Sequence, residues 1–414
     1  MISKYFQRTM LTASAVLGLA GLVSAQDGST RPRRVNAPPS NVSRVEANRP
    51  AASDDNAPDS SNASGARVSA PRGSAAPASA VDTSHAYTLL QQKQYAAAAR
   101  EAKQIAASDP NNSEAWKIAG FAEFNLKQYE EATADLQRAL DLQRAAGAED
   151  ANTVDALAKA YVLTEKFDRA LPLLVTATTR KGASADAVML YYRGLSEYRT
   201  GKAAEAERSF NAAVKANPKD AASLYYLGQI AIARNDLDGA ISALNRATQS
   251  DARLAQPWTL LTSAYLRRAA QGTGAKADAD YLNAVRAGEA LTRVKTDADA
   301  SMLYGQALIG AKQYARAAVA LERAAAGEQA KGPAIYLLGV AYSRAENYPK
   351  AIAALERAAA KTPDDVNIYR ELGYAYEVSK LYAKALAAYQ KGAELAPADT
   401  NFKESIERVQ PFAK

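Results

Sequence analysis

Leu190-Tyr191-Tyr192-Arg193-Gly194 returns as Leu224-Tyr225-Tyr226-Leu227-Gly228, thirty-four residues later. The same step joins Tyr95 to Tyr129. It carries Tyr314 to Tyr348 and Tyr382, Gly305 to Gly339 and Gly373, and Ala317 to Ala351 and Ala385. A fixed period of this length marks one supersecondary unit written many times, each too small to bury its apolar side alone. For such a chain, the two or three domains that 414 residues would otherwise suggest lose their meaning.

Nine repeats are read, at 79–112, 113–146, 151–184, 187–220, 221–254, 255–298, 298–331, 332–365 and 366–399, the first of them partial. With positions numbered 1 to 34, apolar or small residues fall at 4, 7, 8 and 11, then at 17, 20, 24 and 27. In repeat eight these are Ile335, Leu338, Gly339 and Tyr342, then Tyr348, Ala351, Leu355 and Ala358. Steps of three and four place each set on one face of a helix, so each repeat predicts two helices. Position 8 is Gly120, Gly194, Gly228, Gly305, Gly339 and Gly373 in six repeats. Position 20 is alanine in all nine, including Ala132, Ala206, Ala240, Ala317, Ala351 and Ala385. Glycine inside a helix costs about 1 kcal/mol against alanine, so the two helices are expected to approach closely there, small residue against small. Pro110, Pro218, Pro363 and Pro397 at position 32 stop the second helix, and Asn112, Asp220 and Asp365 follow as caps for the next.

Stretches such as "IYLLGVAYSRAENYPKAIAALERAAAKTPDD" at 335–365 and "WKIAGFAEFNLKQYEEATADLQRALDLQ" at 116–143 resemble the tetratricopeptide repeat consensus at nearly every signature position. The resemblance spans about three quarters of the chain. It implies an all-α superhelix, a solenoid of about nine helix pairs over 83–399, closed by a polar capping helix at 400–414. It further implies that the first helices line a concave groove that holds extended peptides or helices.

Positions 2, 5, 9, 12 and 13 point about 140° from the core direction of the first helix. On that face stand Tyr191, Leu195, Tyr198, Tyr225, Gln229, Met302, Gln306, Tyr336, Arg370 and Tyr374, with Arg199 and Arg344 at its edge. Tyrosine and arginine anchor interfaces because they offer broad, rigid area with a polar tip. The same tyrosines at positions 5 and 9 could instead touch the neighbouring first helix, and both readings stay open. Tyr192 and Tyr226, at position 6, point to the other flank, where packing and facing the ridge are both open readings. The carboxylate clamp of some tetratricopeptide domains needs Lys at 5 with Asn at 9. Lys117 pairs with Phe121 in that register and Asp155 with Lys159, so the clamp is absent. Repeat six carries about ten extra residues, "AAQGTGAKADA" at 269–279, expected as a tolerated loop between its helices; a hinge or contact loop is the other reading.

Lys4 and Arg8 precede a short apolar core at 10–23 and small residues at 23–25, the pattern of a removable secretory signal at 1–25. The apolar run is too short for a comfortable span, so no stable membrane span is expected after its removal. Residues 26–82 hold seven of the sixteen prolines and almost no aromatics, as expected of a disordered linker with a reach of about 40 Å. The product is expected to be exported, periplasmic or extracellular. No cysteine is present, which excludes disulfides and thiolate metal sites. Beyond residue 82 the 42 basic and 38 acidic residues nearly balance, so nucleic acid is not an expected partner. His85 has no partner motif, and no zincin, nucleophile-elbow or P-loop pattern occurs. No cofactor, metal or catalytic residue is expected. The favoured function is a non-catalytic scaffold for protein or peptide segments, in cell-envelope assembly or secretion by analogy. A polysaccharide-associated envelope adaptor and an enzyme with an unrecognised site are the alternatives.

Overall fold

The computed structural model describes residues 82–180 and 186–413. The expected signal at 1–25 and all but the last residue of the expected linker lie outside the described residues. Nineteen α-helices and one 3-10 turn, and no strand, make up the described regular structure. The first helices of the nine repeats are α1 (Ser84–Gln91), α3 (Ser113–Asn125), α5 (Ala151–Leu163), α7 (Ala187–Arg199), α9 (Ala221–Ala233), α11 (Ala255–Gln271), α13 (Ala298–Gly310), α15 (Gly332–Arg344) and α17 (Val366–Val378). Their second helices are α2 (Tyr95–Ser108), α4 (Tyr129–Ala145), α6 (Phe167–Thr179), α8 (Ala203–Ala216), α10 (Leu237–Ser250), α12 (Gly274–Val294), α14 (Tyr314–Ala324), α16 (Tyr348–Lys361) and α18 (Tyr382–Leu395). Each helix packs on the next, and consecutive first helices also touch. This is the α-solenoid that the period predicts.

Local chemistry sets the boundaries. Asn112, Asp220 and Asp365 accept hydrogen bonds from the backbone N–H of Ala115, Ala222 and Asn367, as the sequence suggested. Asp150, Asp186, Asp297 and Asp399 cap their helices in the same way. These side chains satisfy donors that a helix start leaves unpaired. Between the two helices of eight repeats the chain turns through a left-handed residue at position 15. It is Lys93, Lys127, Glu165, Asn235, Lys312, Glu346 or Lys380, with φ between 57° and 65°, or Gly201 at φ 80°. In each turn the N–H of position 16 donates to the carbonyl of position 11, as Gln128 does to Glu123 at 2.9 Å and Asn347 to Tyr342 at 2.9 Å. That is the Schellman bond that closes a helix C-terminus.

The glycines at position 8 do mark close approach, but their partner differs from the expectation. A methyl on Gly120 would stand 2.6 Å from Leu136 Cγ, one on Gly228 2.6 Å from Leu244 Cγ, and one on Gly194 2.7 Å from the Phe210 ring. The glycine is a hole for the large residue at position 24, not a surface for the alanine at 20. Leu136, Leu244 and Phe210 are fully buried in those holes, each worth roughly 2–3 kcal/mol of apolar transfer. Repeat six inverts the pair. Position 8 is the buried Thr262, position 24 is Gly288, and Tyr304 of the next repeat lies against that glycine.

The insertion in repeat six is no loop. Its residues extend both helices, so α11 runs 17 residues where other complete first helices run 13, α12 runs 21, and only Gly272 and Thr273 lie between them. The alanine-rich stretch continues the helices because alanine favours them. Arg268 clamps the extension, donating to both oxygens of the buried Asp280 at 2.8 and 2.6 Å and to Asp238 of the preceding repeat.

Tyrosines at position 11 tie repeat to repeat. Tyr161 OH donates to Gln137 of the preceding repeat at 2.8 Å. Tyr342 OH donates to Glu322, and thirty-four residues on Tyr376 OH donates to Glu356. Lys350 and Lys384 lie over those two rings at 5.2 and 5.4 Å. At the C-terminal end α19 (Thr400–Val409) buries Phe402, Ser405 and Val409 against the last repeat and exposes Lys403, Glu404, Glu407 and Arg408.

Candidate partner-binding face

The first helices α7 and α9 carry Tyr191, Leu195, Tyr198, Tyr225 and Gln229, all half-buried. Their rings meet around one that the sequence placed on the other flank. Tyr226 stacks on Phe210 of α8 at 5.1 Å with 4° between planes, and lies 5.3 Å from both Tyr198 and Tyr225 and 6.3 Å from Tyr191. Tyr191 adds contacts at 5.5 Å to Tyr192 and 6.1 Å to Phe210. Five tyrosines and one phenylalanine thus form a continuous tray across repeats four and five. The signal for Tyr226 was Phe210, a ring at position 24 where leucine is usual.

Burial pushes the Tyr191 hydroxyl up, with Tyr226 and Asp220 adding to it and Arg199 opposing. Burial likewise raises Tyr225 to about 12, and Gln229 Nε2 donates to its hydroxyl at 2.9 Å. These phenols stay neutral donors and acceptors at any ordinary pH. Arg199 is exposed, with its guanidinium 5.5 Å over the Phe167 ring. Leu163 and Val188, on the same face of α5 and α7, are about two-fifths exposed at 41% and 42%.

The remaining candidates are spread along the array. Met302 and Gln306 are half-buried on α13, and the Gln306 Nε2 is a buried donor with no hydrogen-bond partner. Tyr336 on α15 packs between two core clusters, and burial raises its hydroxyl strongly. Arg370 is engaged: it donates to Asp399 at 2.6 Å and Asn367 at 2.8 Å and lies 5.1 Å over the Phe402 ring. Arg344 holds Glu371 with two bonds, at 2.9 and 2.7 Å. Tyr374 is 39% exposed and meets Tyr348 edge-on at 6.4 Å. The sequence face therefore divides into a ring-lined tray in repeats four and five and an ion-paired stretch in repeats eight and nine.

Two open clefts lie off this face. One of about 320 Å³ sits between the turn Asn235–Asp238 and the extended tip of α11 and α12. One of about 300 Å³ sits beside Tyr342 and Lys350. His85 is exposed and its Nδ1 lies 2.7 Å from Glu101. Among the described residues no helix is long and apolar enough to cross a membrane.

A family model described as tetratricopeptide repeat matches residues 83–150, 156–206, 191–255 and 336–400, together more than half of the chain. A second, described as anaphase-promoting complex, cyclosome, subunit 3, matches residues 278–358. Among solved structures, the chain is 16% identical to the C-terminal part of a TPR repeat-containing protein from Cytophaga hutchinsonii, with 70% of this chain and 99% of that one covered and a TM-score of 0.43. It is 18% identical to YrrB, described as a TPR protein with an unusual peptide-binding site, with 49% and 99% covered and a TM-score of 0.40. It is 25% identical to MamA from Desulfovibrio magneticus RS-1, with 44% and 97% covered and a TM-score of 0.38. No curated protein matches.

Proposed function

Since the chain belongs to the tetratricopeptide repeat family, a fold of protein–protein interaction scaffolds, we propose that it holds a protein segment along its first-helix face, centred on the tray of repeats four and five. The observation that carries this reading is the tray itself. Five half-buried tyrosines lie side by side on α7 and α9, with an exposed arginine at their edge. Half-buried rings are already ordered by their neighbours, so a partner gains contact area at little entropic cost. The basic start and short apolar core at 4–23 support an exported protein, and with it a role in envelope assembly or secretion. Non-catalytic action belongs to the same reading.

The test is capture of partners from an envelope extract by the chain and by the double variant Tyr198→Ala, Tyr225→Ala. Helical content and melting are measured alongside. The expected result is loss of the captured partner with the fold retained. A folded variant that keeps every partner overturns the assignment of this face.

A further inference from the structure

The charges on the first-helix face are not evenly matched. Among the described residues, its carboxylates at positions 2, 5 and 12 each have a basic partner. Glu114 meets Lys117 at 2.6 Å, Asp155 meets Arg180 at 2.7 Å, Asp299 meets Lys331 at 2.7 Å, and Glu377 meets Arg408 at 2.7 Å. Among the described residues, three cations on that face have no carboxylate within ion-pair distance. Lys159 stands at position 9 of repeat three, Arg199 at position 13 of repeat four and Arg267 at position 13 of repeat six. Arg199 spends its charge on the Phe167 ring, and Arg267 donates only to the neutral Asn235 amide, at 3.0 Å. All three bracket the tray: Lys159 and Arg199 before or within it, Arg267 one repeat beyond.

The face therefore combines apolar rings with an unneutralised positive rim, and repeats eight and nine show that this is not a general habit of the chain. There Arg344 and Arg370 occupy the same kind of position and both are closed by carboxylates of the array. A cation left without an internal carboxylate beside a ring-lined surface is complementary to an acidic one.

We propose that the tray takes an acidic protein segment, one that sets aromatic or aliphatic side chains on Tyr191, Tyr198 and Tyr225 and carboxylates against Lys159, Arg199 and Arg267. This rests on the reading of the first-helix face as the binding face and adds the chemistry of its partner. The rings supply the area, and the cations select by charge and speed encounter. Each exposed pair adds modestly and is weakened by salt, so the acidic preference shows most clearly at low ionic strength.

The experiment displays a library of random twelve-residue peptides to the immobilised full chain and sequences the binders. The expected outcome is enrichment of peptides that join Asp or Glu to Phe, Tyr, Trp or Leu. Their affinity should fall roughly tenfold or more in the double variant Lys159→Glu, Arg199→Glu, and should fall with added salt. Binders that are neutral or basic, or that are indifferent to this charge reversal while still lost in Tyr198→Ala, Tyr225→Ala, overturn the acidic partner and leave the face standing. A library that yields no binder sensitive to the tyrosine variant overturns the face itself. Both variants are checked for unchanged helical content and melting before binding is read.

Discussion

Between repeats four and five the second helix of one unit hands a ring, Phe210, to Tyr226 of the next, and four more tyrosines gather on that contact. Between repeats eight and nine the corresponding space is closed by Arg344 on Glu371 and by Tyr376 on Glu356 under Lys384. Both junctions stack the same helix pairs on the same 34-residue step. Ring contacts are weakly directional and leave polar tips pointing outward. Paired charges are directional, and each partner uses up the other's capacity. The difference teaches where this array has valence left over. One junction has spent its polar groups on itself, and the other has kept an exposed arginine and a row of phenols.

The sharpest way to break the comparison is to remove the ring at its centre. Phe210→Ala empties the hole at Gly194 and takes away the surface on which Tyr191 and Tyr226 rest. Truncation of a fully buried phenylalanine costs about 3–5 kcal/mol. In a stacked array that loss stays near its own repeat. Hydrogen exchange is expected to show α7 to α9 deprotected and α17 to α19 little changed. Equal deprotection at both ends would mean that the junctions do not act separately.

The reciprocal change is Glu371→Ala, which strips Arg344 of its carboxylate where both side chains are largely buried, at 19% and 8% exposure. Removing one member of such a pair costs about 3 kcal/mol, because the remaining charge loses its compensation. Denaturant-dependent exchange should localise the loss to α15 and α17. Capture through the tray should be unchanged, and a loss of capture would show that the two regions are coupled.

A third junction sharpens the contrast with pH. Between repeats one and two, Glu123 on α3 is buried with Asp135 from α4 and shares Lys103 from α2, and these are the charged groups that face it. Burial, with help from Asp135, raises the Glu123 carboxyl from 4.5 to about 7 in spite of the lysine. Two acids share one amine: Glu123 Oε2 is left without a hydrogen bond, and Asp135 Oδ2 meets Lys103 Nζ only as an ion pair at 3.5 Å. Across the window from about 4.5 to 7 the folded chain binds more protons than the unfolded one, so stability falls as pH rises and is level above it. A loss of roughly 2 kcal/mol confined to α2 to α4 is expected between pH 5 and 8. Glu123→Gln should abolish that slope. Persistence of the slope in the variant would assign it to another group.

The period made the helices, their pairing and their caps legible, because those follow from spacing along one chain. Contacts between helices were less so. Position 8 glycine announced a close approach without saying to what. The answer lay in comparing sizes at 8 and 24: glycine with leucine or a ring, Thr262 with Gly288, Ala86 with Ala102. Gly272 and Gly274 made the insertion in repeat six look like a loop, yet alanines on both sides let the helices run up to it. What holds Tyr226 and Arg370 was not legible, for one reason. A helical angle describes a residue's own helix, and what engaged them were Phe210 from the preceding helix and Asp399, 29 residues on.

The smallest effect tests whether the two regions also differ in their turns. Repeat four turns through Gly201 at φ 80° and repeat eight through Glu346 at φ 61°. Both close the same Schellman bond, Lys202 N–H to Glu197 at 2.8 Å and Asn347 N–H to Tyr342 at 2.9 Å. A side chain in the left-handed region carries about 1–2 kcal/mol of strain, while glycine gives back about 0.5–1 kcal/mol through its freer unfolded chain. Glu346→Gly is therefore expected to stabilise repeat eight by about 0.5 kcal/mol, and Gly201→Ala to weaken repeat four by about as much or slightly more. Exchange rates of α15 and α7 in the two variants measure this directly. If both substitutions move stability the same way, relief of backbone strain is not what distinguishes the two turns, and Glu346 holds its place through a contact of its side chain.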